Sequence, residues 1–150
     1  YGTPQYDAVR FSLEKLNRRT DKLGVFLGIE NRYSLHRFPS YDEIDALLTE
    51  FGGSKIAYWH DVGHAAVHHN LGLSSHESVL ERFRERMIGI HFHDCRGTED
   101  HLAPGMGEVD FDMIKRFMGP GTLRVLEVHK EASREELLEG IALIEEKGLA

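Results

Sequence analysis

Four short apolar runs recur about thirty residues apart, and each ends on acidic or imidazole side chains: LGVFLGIEN (23–31), KIAYWHDVG (55–63), MIGIHFHDC (87–95) and LRVLEVH (123–129). No other feature of the chain restricts its fold as much. Each run is rich in Val, Ile or aromatics and too short for an ordinary helix, so each reads as a strand. Apolar side chains occupy both faces mid-run, which suits parallel strands buried between layers better than a half-exposed hairpin. Between the runs lie helical patterns with start signals. Ser40 with Glu43, Ser74 with Glu77, and Ser133 with Glu136 have the spacing of capping boxes. Residues 6–19 read as an opening helix, DFDMIKRFM as a short one ending at Gly119, and Gly148 as the stop of the last. The order is one helix and then β-α four times, which predicts parallel strands joined by right-handed crossovers.

The chain has 150 residues, 41% of them hydrophobic, enough for one sizeable core. Its formal charge of -7 and lack of a Lys/Arg cluster argue against a nucleic-acid partner. Cys95 is the only cysteine, so no intrachain disulfide forms, and a reducing, cytoplasmic location is expected. No stretch reaches the roughly eighteen apolar residues of a membrane-spanning helix, and the N-terminal residues lack a signal-peptide pattern. Neither GxGxxG after the first strand nor GxxxxGK[ST] anywhere supports a dinucleotide or nucleoside-triphosphate site.

Side chains alternate along a strand, so the polar end of each run fixes which residues share a face. Phe26, Gly28 and Glu30 share one, as do Ala57, Trp59 and Asp61; then Gly89, His91 and His93; then Val125, Glu127 and His129. His60 and Arg124 fall on the opposite faces and are expected to pack against helices or lie at the surface. Glu30, Asp61, His91 and Glu127 are 31, 30 and 36 residues apart, one per β-α unit. They come at the C-terminal ends of the strands, where α/β proteins place their chemistry. Three carboxylates gathered there would repel one another; a divalent cation removes the conflict and takes up their lone pairs. Oxygen ligands with imidazole suit Mn, Mg, Co, Zn or Fe. His64 follows Asp61 by three positions, with Gly63 available to turn the chain and swing the imidazole toward the site. The hydrophilic segment 96–111 offers Asp100 and His101 as further candidates.

Taken together, GIENRY (28–33), HDVGH (60–64), HFHD (91–94), DHLAPGMG (100–107) and LEV (126–128) resemble the second half of the xylose-isomerase-like TIM barrels, from about Leu23 onward. That superfamily includes sugar-phosphate isomerases and epimerases, inosose dehydratases and the deoxyribonuclease IV type of apurinic endonuclease. The resemblance implies an α/β (βα)8 barrel of which about the last four βα units are present. Residues 1–150 would then be a fragment, or a half that completes itself with another copy as a homo-oligomer. It also implies metal ligands at Glu30, Asp61, Glu127 and either His91 or His93. His64 is similar to the histidine that binds a second metal in the endonuclease branch, and His101 to a ligand of the third. The acidic partner of that third site aligns with Glu99, with Asp100 one residue off. Arg96 is placed like the basic residue that holds a substrate oxygen or phosphate, and His64 and His93 are the other substrate-binding candidates.

The activity implied is a divalent-metal-dependent isomerase or epimerase acting on a sugar or sugar phosphate. Glu30 and Glu127 would move protons by way of an enediolate held on the cation. Phosphodiester hydrolysis at an abasic site and dehydratase-like elimination are the alternatives.

Overall fold

The computed structural model describes residues 2–34 and 38–150. Four parallel strands form one sheet in the order β1 (Leu27–Glu30), β2 (Ile56–Asp61), β3 (Met87–Phe92) and β6 (Leu123–Leu126). The helices are α1 (Pro4–Leu23), α2 (Tyr41–Glu50), α3 (Val62–Asn70), α4 (His76–Phe83), α5 (Phe111–Lys115) and α6 (Arg134–Glu146). This is an incomplete (βα)8 arrangement: a four-stranded parallel core with flanking helices.

Local chemistry explains most of the helix boundaries. Thr3 caps α1 by accepting from Tyr6 N–H, Pro4 takes the first turn where no amide donor is needed, and Gly24 ends the helix at φ 71°. Ser40 with Glu43 and Ser133 with Glu136 form the two reciprocal capping boxes before α2 and α6. The expected box at Ser74 does not form. Ser75 is the cap of α4, accepting from Ser78 N–H, because Ser74 N–H is turned back to His68 O at the end of α3.

One face of the sheet is closed by these helices. Ile44, Leu47 and Leu48 of α2, Val79, Leu80 and Phe83 of α4, and Phe111 and Ile114 of α5 bury against Ile56, Tyr58, Ile90 and Phe92. His60 belongs to this side, as expected for helix packing. Its Nδ1 lies 2.9 Å from Tyr58 OH and its Nε2 3.0 Å from Nε2 of His76, the first residue of α4. Burial drives both imidazoles toward neutrality, His76 down to about 4 and His60 well below its usual value.

The other face is open. Trp59 lies across Gly28 and Gly89, and a Cβ built at Gly89 would fall inside the indole ring. Beside it Phe26 and Leu123 are each 60% exposed, and β1 and β6 have no further partner strand among the described residues. No helix of the described residues is long and apolar enough to cross a membrane.

After β3 the chain makes an antiparallel ribbon, β4 (Asp94–Arg96) with β5 (Glu99–Leu102), where a hydrophilic loop was expected. Asp94 organises it: its buried carboxylate accepts from Cys95 N–H and Gly105 N–H, each at 2.8 Å, and from Val109 N–H at 3.0 Å. Gly107 leaves the space this carboxylate fills. Asp94→Ala would strip a charge-assisted acceptor from three amides, two of them distant in sequence. A loss of about 2–4 kcal/mol in urea denaturation is expected, with faster amide exchange at Gly105 and Val109 than at Ile90.

Candidate metal centre

The register of the sheet brings together four of the residues singled out from sequence. Asp61 pairs with His91 across β2 and β3, and Glu127 N–H donates to Phe92 O one residue beyond the end of β6. Glu30 ends β1. Around His91 Nδ1 lie Glu127 Oε2 at 2.7 Å, Glu30 Oε1 at 3.0 Å and Asp61 Oδ2 at 3.6 Å. One potential ligand atom from each of the four residues falls within 4.8 Å of the others.

The three carboxylates are not equivalent. Asp61 is fully buried, whereas the side chains of Glu30 and Glu127 are 32% and 44% exposed. Asp61 Oδ1 accepts from His64 N–H, which caps α3, and contacts His93 Nε2, both at 2.8 Å. Its Oδ2 is buried and has no hydrogen-bond partner. Burial would push the Asp61 carboxyl up, but His91 and His93 outweigh it and hold the group well below the usual carboxylate range. The same cluster, Asp61 foremost and then Glu127 and Glu30, pushes His91 up to about 9 against the effect of burial. Three acidic groups therefore share one imidazolium, and a buried anionic oxygen is left without a donor. A divalent cation fits this donor set of three oxygens and one nitrogen, and would take the place of the His91 proton.

His91 and His93, one residue apart on the expected face, separate here. β3 ends at Phe92, the alternation stops, and His93 turns behind Asp61 into full burial. His101 N–H donates to His93 Nδ1 at 2.7 Å, which puts the ring proton on Nε2, and Nε2–H donates to Asp61 Oδ1. Both nitrogens are thus engaged in hydrogen bonds, one of them to the back of Asp61, and His93 fixes the orientation of that carboxylate. Gly63 is needed for a different reason from the one its sequence suggests. It lies in the first turn of α3 without a positive φ, and the His93 ring occupies the space its Cβ would fill.

His64 lies beside the group. Its Nδ1–H donates to Asn31 O at 2.9 Å, and its Nε2 lies 3.6 Å from Asp100 Oδ2. His101 stacks on His93 with centroids 4.1 Å apart. Arg96 is exposed, donates from Nη2 to Met106 O and is not among the residues gathered at His91. Sequence reasoning missed Asp94, which anchors the ribbon carrying Asp100 and His101, and Asn31, whose Oδ1 accepts from Asp61 N–H at 2.7 Å while its Nδ2 donates to Asp61 O at 2.9 Å. The glycines at 105 and 107, spaced around a buried acid, were the available signal for Asp94.

Solved structures with this fold include a D-tagatose 3-epimerase-like protein, 16% identical with a TM-score of 0.76, covering 95% of this chain and 54% of that one. An apo 3-keto-D-glucoside 4-epimerase from E. coli is 16% identical with a TM-score of 0.71, covering 94% and 53%. A xylose isomerase domain protein from Planctomyces limnophilus is 15% identical with a TM-score of 0.71, covering 97% and 52%. The chain spans about half the length of these structures. No curated protein sequence matches it. The profile of the family described as Xylose isomerase-like TIM barrel matches residues 3–147, so the likeness takes in α1 as well and begins well before Leu23. With parallel strands of that barrel and a match over nearly its entire length, the chain belongs to the xylose isomerase-like TIM barrel family.

Proposed function

We propose that this chain is the C-terminal half of a (βα)8 barrel that isomerises or epimerises a sugar or sugar phosphate with a divalent cation. The observation that carries the reading is the buried Asp61 Oδ2, without a hydrogen bond, among Glu30, His91 and Glu127. Those four residues would hold the ion. When bound, it would act as a Lewis acid that polarises a substrate carbonyl and makes the neighbouring C–H more acidic.

The chain's own side chains divide the remaining work by accessibility. Asp61, fully buried and hydrogen-bonded through Oδ1, holds a position and does not reach substrate. Glu30 and Glu127 are partly exposed on either side of His91, so each can meet a substrate carbon. One carboxylate takes the proton from carbon beside the carbonyl, and the other returns one to the adjacent carbon or the opposite face. His64, fixed through Nδ1–H to Asn31 O, presents Nε2 for a hydrogen bond with a substrate hydroxyl. Arg96 keeps its remaining N–H groups at the rim for a substrate oxygen or phosphate.

A panel of ketoses and ketose phosphates in deuterated water, with the complete barrel and Mn or Co, tests this reading by NMR. Deuterium at a carbon beside the carbonyl is the expected result. No exchange across the panel, with incision of an abasic duplex, would overturn it in favour of phosphodiester hydrolysis. That second reading draws on His64, Asp100 and His101, which lie next to the first group.

A further inference from the structure

A hydrogen-bond chain runs behind the four-residue group and ends on a helix outside the sheet. Asn31 clamps the main chain of Asp61 with its carboxamide: Oδ1 accepts from Asp61 N–H at 2.7 Å and Nδ2 donates to Asp61 O at 2.9 Å. These two bonds fix which way the amide faces, so Tyr58 OH, 2.9 Å from Oδ1, is the donor in that pair. With its proton committed to Asn31, Tyr58 meets His60 Nδ1, also at 2.9 Å, as an acceptor, and Nδ1 carries the imidazole proton. Burial keeps His60 neutral, so its Nε2 is bare. The proton between that atom and Nε2 of His76, 3.0 Å away, therefore belongs to His76. Each proton has one allowed place, and every donor points the same way, from α4 through β2 to the end of β1. Asn31, Tyr58, His60 and His76 are all buried, so solvent does not stand in for a partner removed from the chain.

We propose that Tyr58, His60 and His76 are positioning residues for the metal group: their one-way chain sets the Asn31 carboxamide, which holds Asp61 with its Oδ2 3.6 Å from His91 Nδ1. The inference deepens the reading of that group as the site of a divalent cation and rests on it. Asn31 places His64 as well, through the His64 Nδ1–H bond to its main-chain oxygen.

His76 sets the order of the protons. Without its N–H, nothing at Nε2 requires the His60 proton to stay on Nδ1. In the other tautomer Nδ1 is bare and competes with Asn31 Oδ1 for the Tyr58 proton, which loosens the clamp on Asp61. Glutamine at position 76 can present an amide N–H near the place of Nε2, and leucine cannot.

The test compares Tyr58→Phe, His76→Leu and His76→Gln with wild type in the complete barrel. Co²⁺ calorimetry reads the site that His91→Ala removes; amide exchange and ¹⁵N NMR of labelled histidine are read on the metal-free protein. Tyr58→Phe keeps the ring stacked on Phe83, with centroids 4.4 Å apart, and removes only the hydroxyl. It should weaken Co²⁺ binding by about 10–100-fold, the usual loss for a partner behind a ligand, and speed exchange at the Asp61 amide more than at Ile90. His76→Leu should weaken the same ion, and His76→Gln should restore its binding. Wild-type His60 should show a protonated Nδ1 and a bare Nε2. A merely structural chain would lower the urea midpoint of Tyr58→Phe and leave the Co²⁺ affinity of the folded protein unchanged, which would overturn the proposal. A proton on Nε2 of wild-type His60, or His76→Gln binding no better than His76→Leu, would overturn it too. If the wild type binds no Co²⁺ at His91, the reading of the group falls; faster Asp61 exchange in Tyr58→Phe would still sustain the chain, and unchanged exchange would remove both.

Discussion

Glu127→Gln in the complete barrel is expected to cut turnover by about 10²–10⁴-fold and to leave the ion bound. Glutamine has the same shape and keeps an oxygen that can coordinate, but its amide accepts no proton from carbon. The Glu127 carboxylate is the most exposed of the three around His91 and the nearest to it, at 2.7 Å. A substrate can therefore reach it without rearranging the buried acid. Asp61→Asn should behave in the opposite way. Asp61 has no access to substrate, so its replacement should first lower metal content and only through that lower turnover. Measuring kcat and bound metal on the same preparations separates the two patterns. Near-normal turnover in the Glu127→Gln protein would remove its proton-transfer role.

The large-scale order of the molecule was legible because its signals are local. Val, Ile and aromatics in short runs, and Ser-x-x-Glu spacings at residues 40 and 133, mark strands and helix starts within a few residues of themselves. Alternation along each strand was enough to put Glu30, Asp61, His91 and Glu127 on one side, and the sheet register gathers them. It misled at His93, because alternation holds only while the strand continues. β3 ends at Phe92, and from there the carboxylate of Asp94, drawing in amides 11 and 15 residues away, decides the path of the chain. The β4–β5 ribbon escaped notice for a related reason. EDHL has no apolar alternation to betray a strand, and its placement depends on Asp94 and on His101 N–H reaching His93. At Ser74 and Ser75 two equivalent capping side chains stand side by side, and the end of the preceding helix chooses between them.

The support behind Asp61 leads to the largest stability effect expected outside the strands. Gly63→Ala places a methyl group inside the space of the His93 ring, which is fully buried and held at both nitrogens. Either the first turn of α3 moves outward and strains the His64 N–H bond to Asp61, or the ring rotates, takes one of the two donors from Asp61 Oδ1 and leaves His101 N–H unpaired. Overpacking costs about 1–3 kcal/mol, and a lost buried hydrogen bond to a charged group about 1.5–3 kcal/mol. Helix propensity works the other way, since Ala is favoured over Gly by up to about 1 kcal/mol. The steric and hydrogen-bond losses exceed that gain, so a net destabilisation of about 2–4 kcal/mol in urea denaturation is expected. Gly121→Ala, where a Cβ meets nothing within 4 Å, should stay within about 0.5 kcal/mol of wild type. Combining Gly63→Ala with His93→Ala identifies the cause. Once the ring is gone the added methyl has space, so in that background Gly63→Ala should be neutral or stabilising, and the two losses should fail to add. If Gly63→Ala costs as much without the imidazole as with it, the ring is not what requires glycine there, and His93 would lose its role as the fixed support of the buried carboxylate.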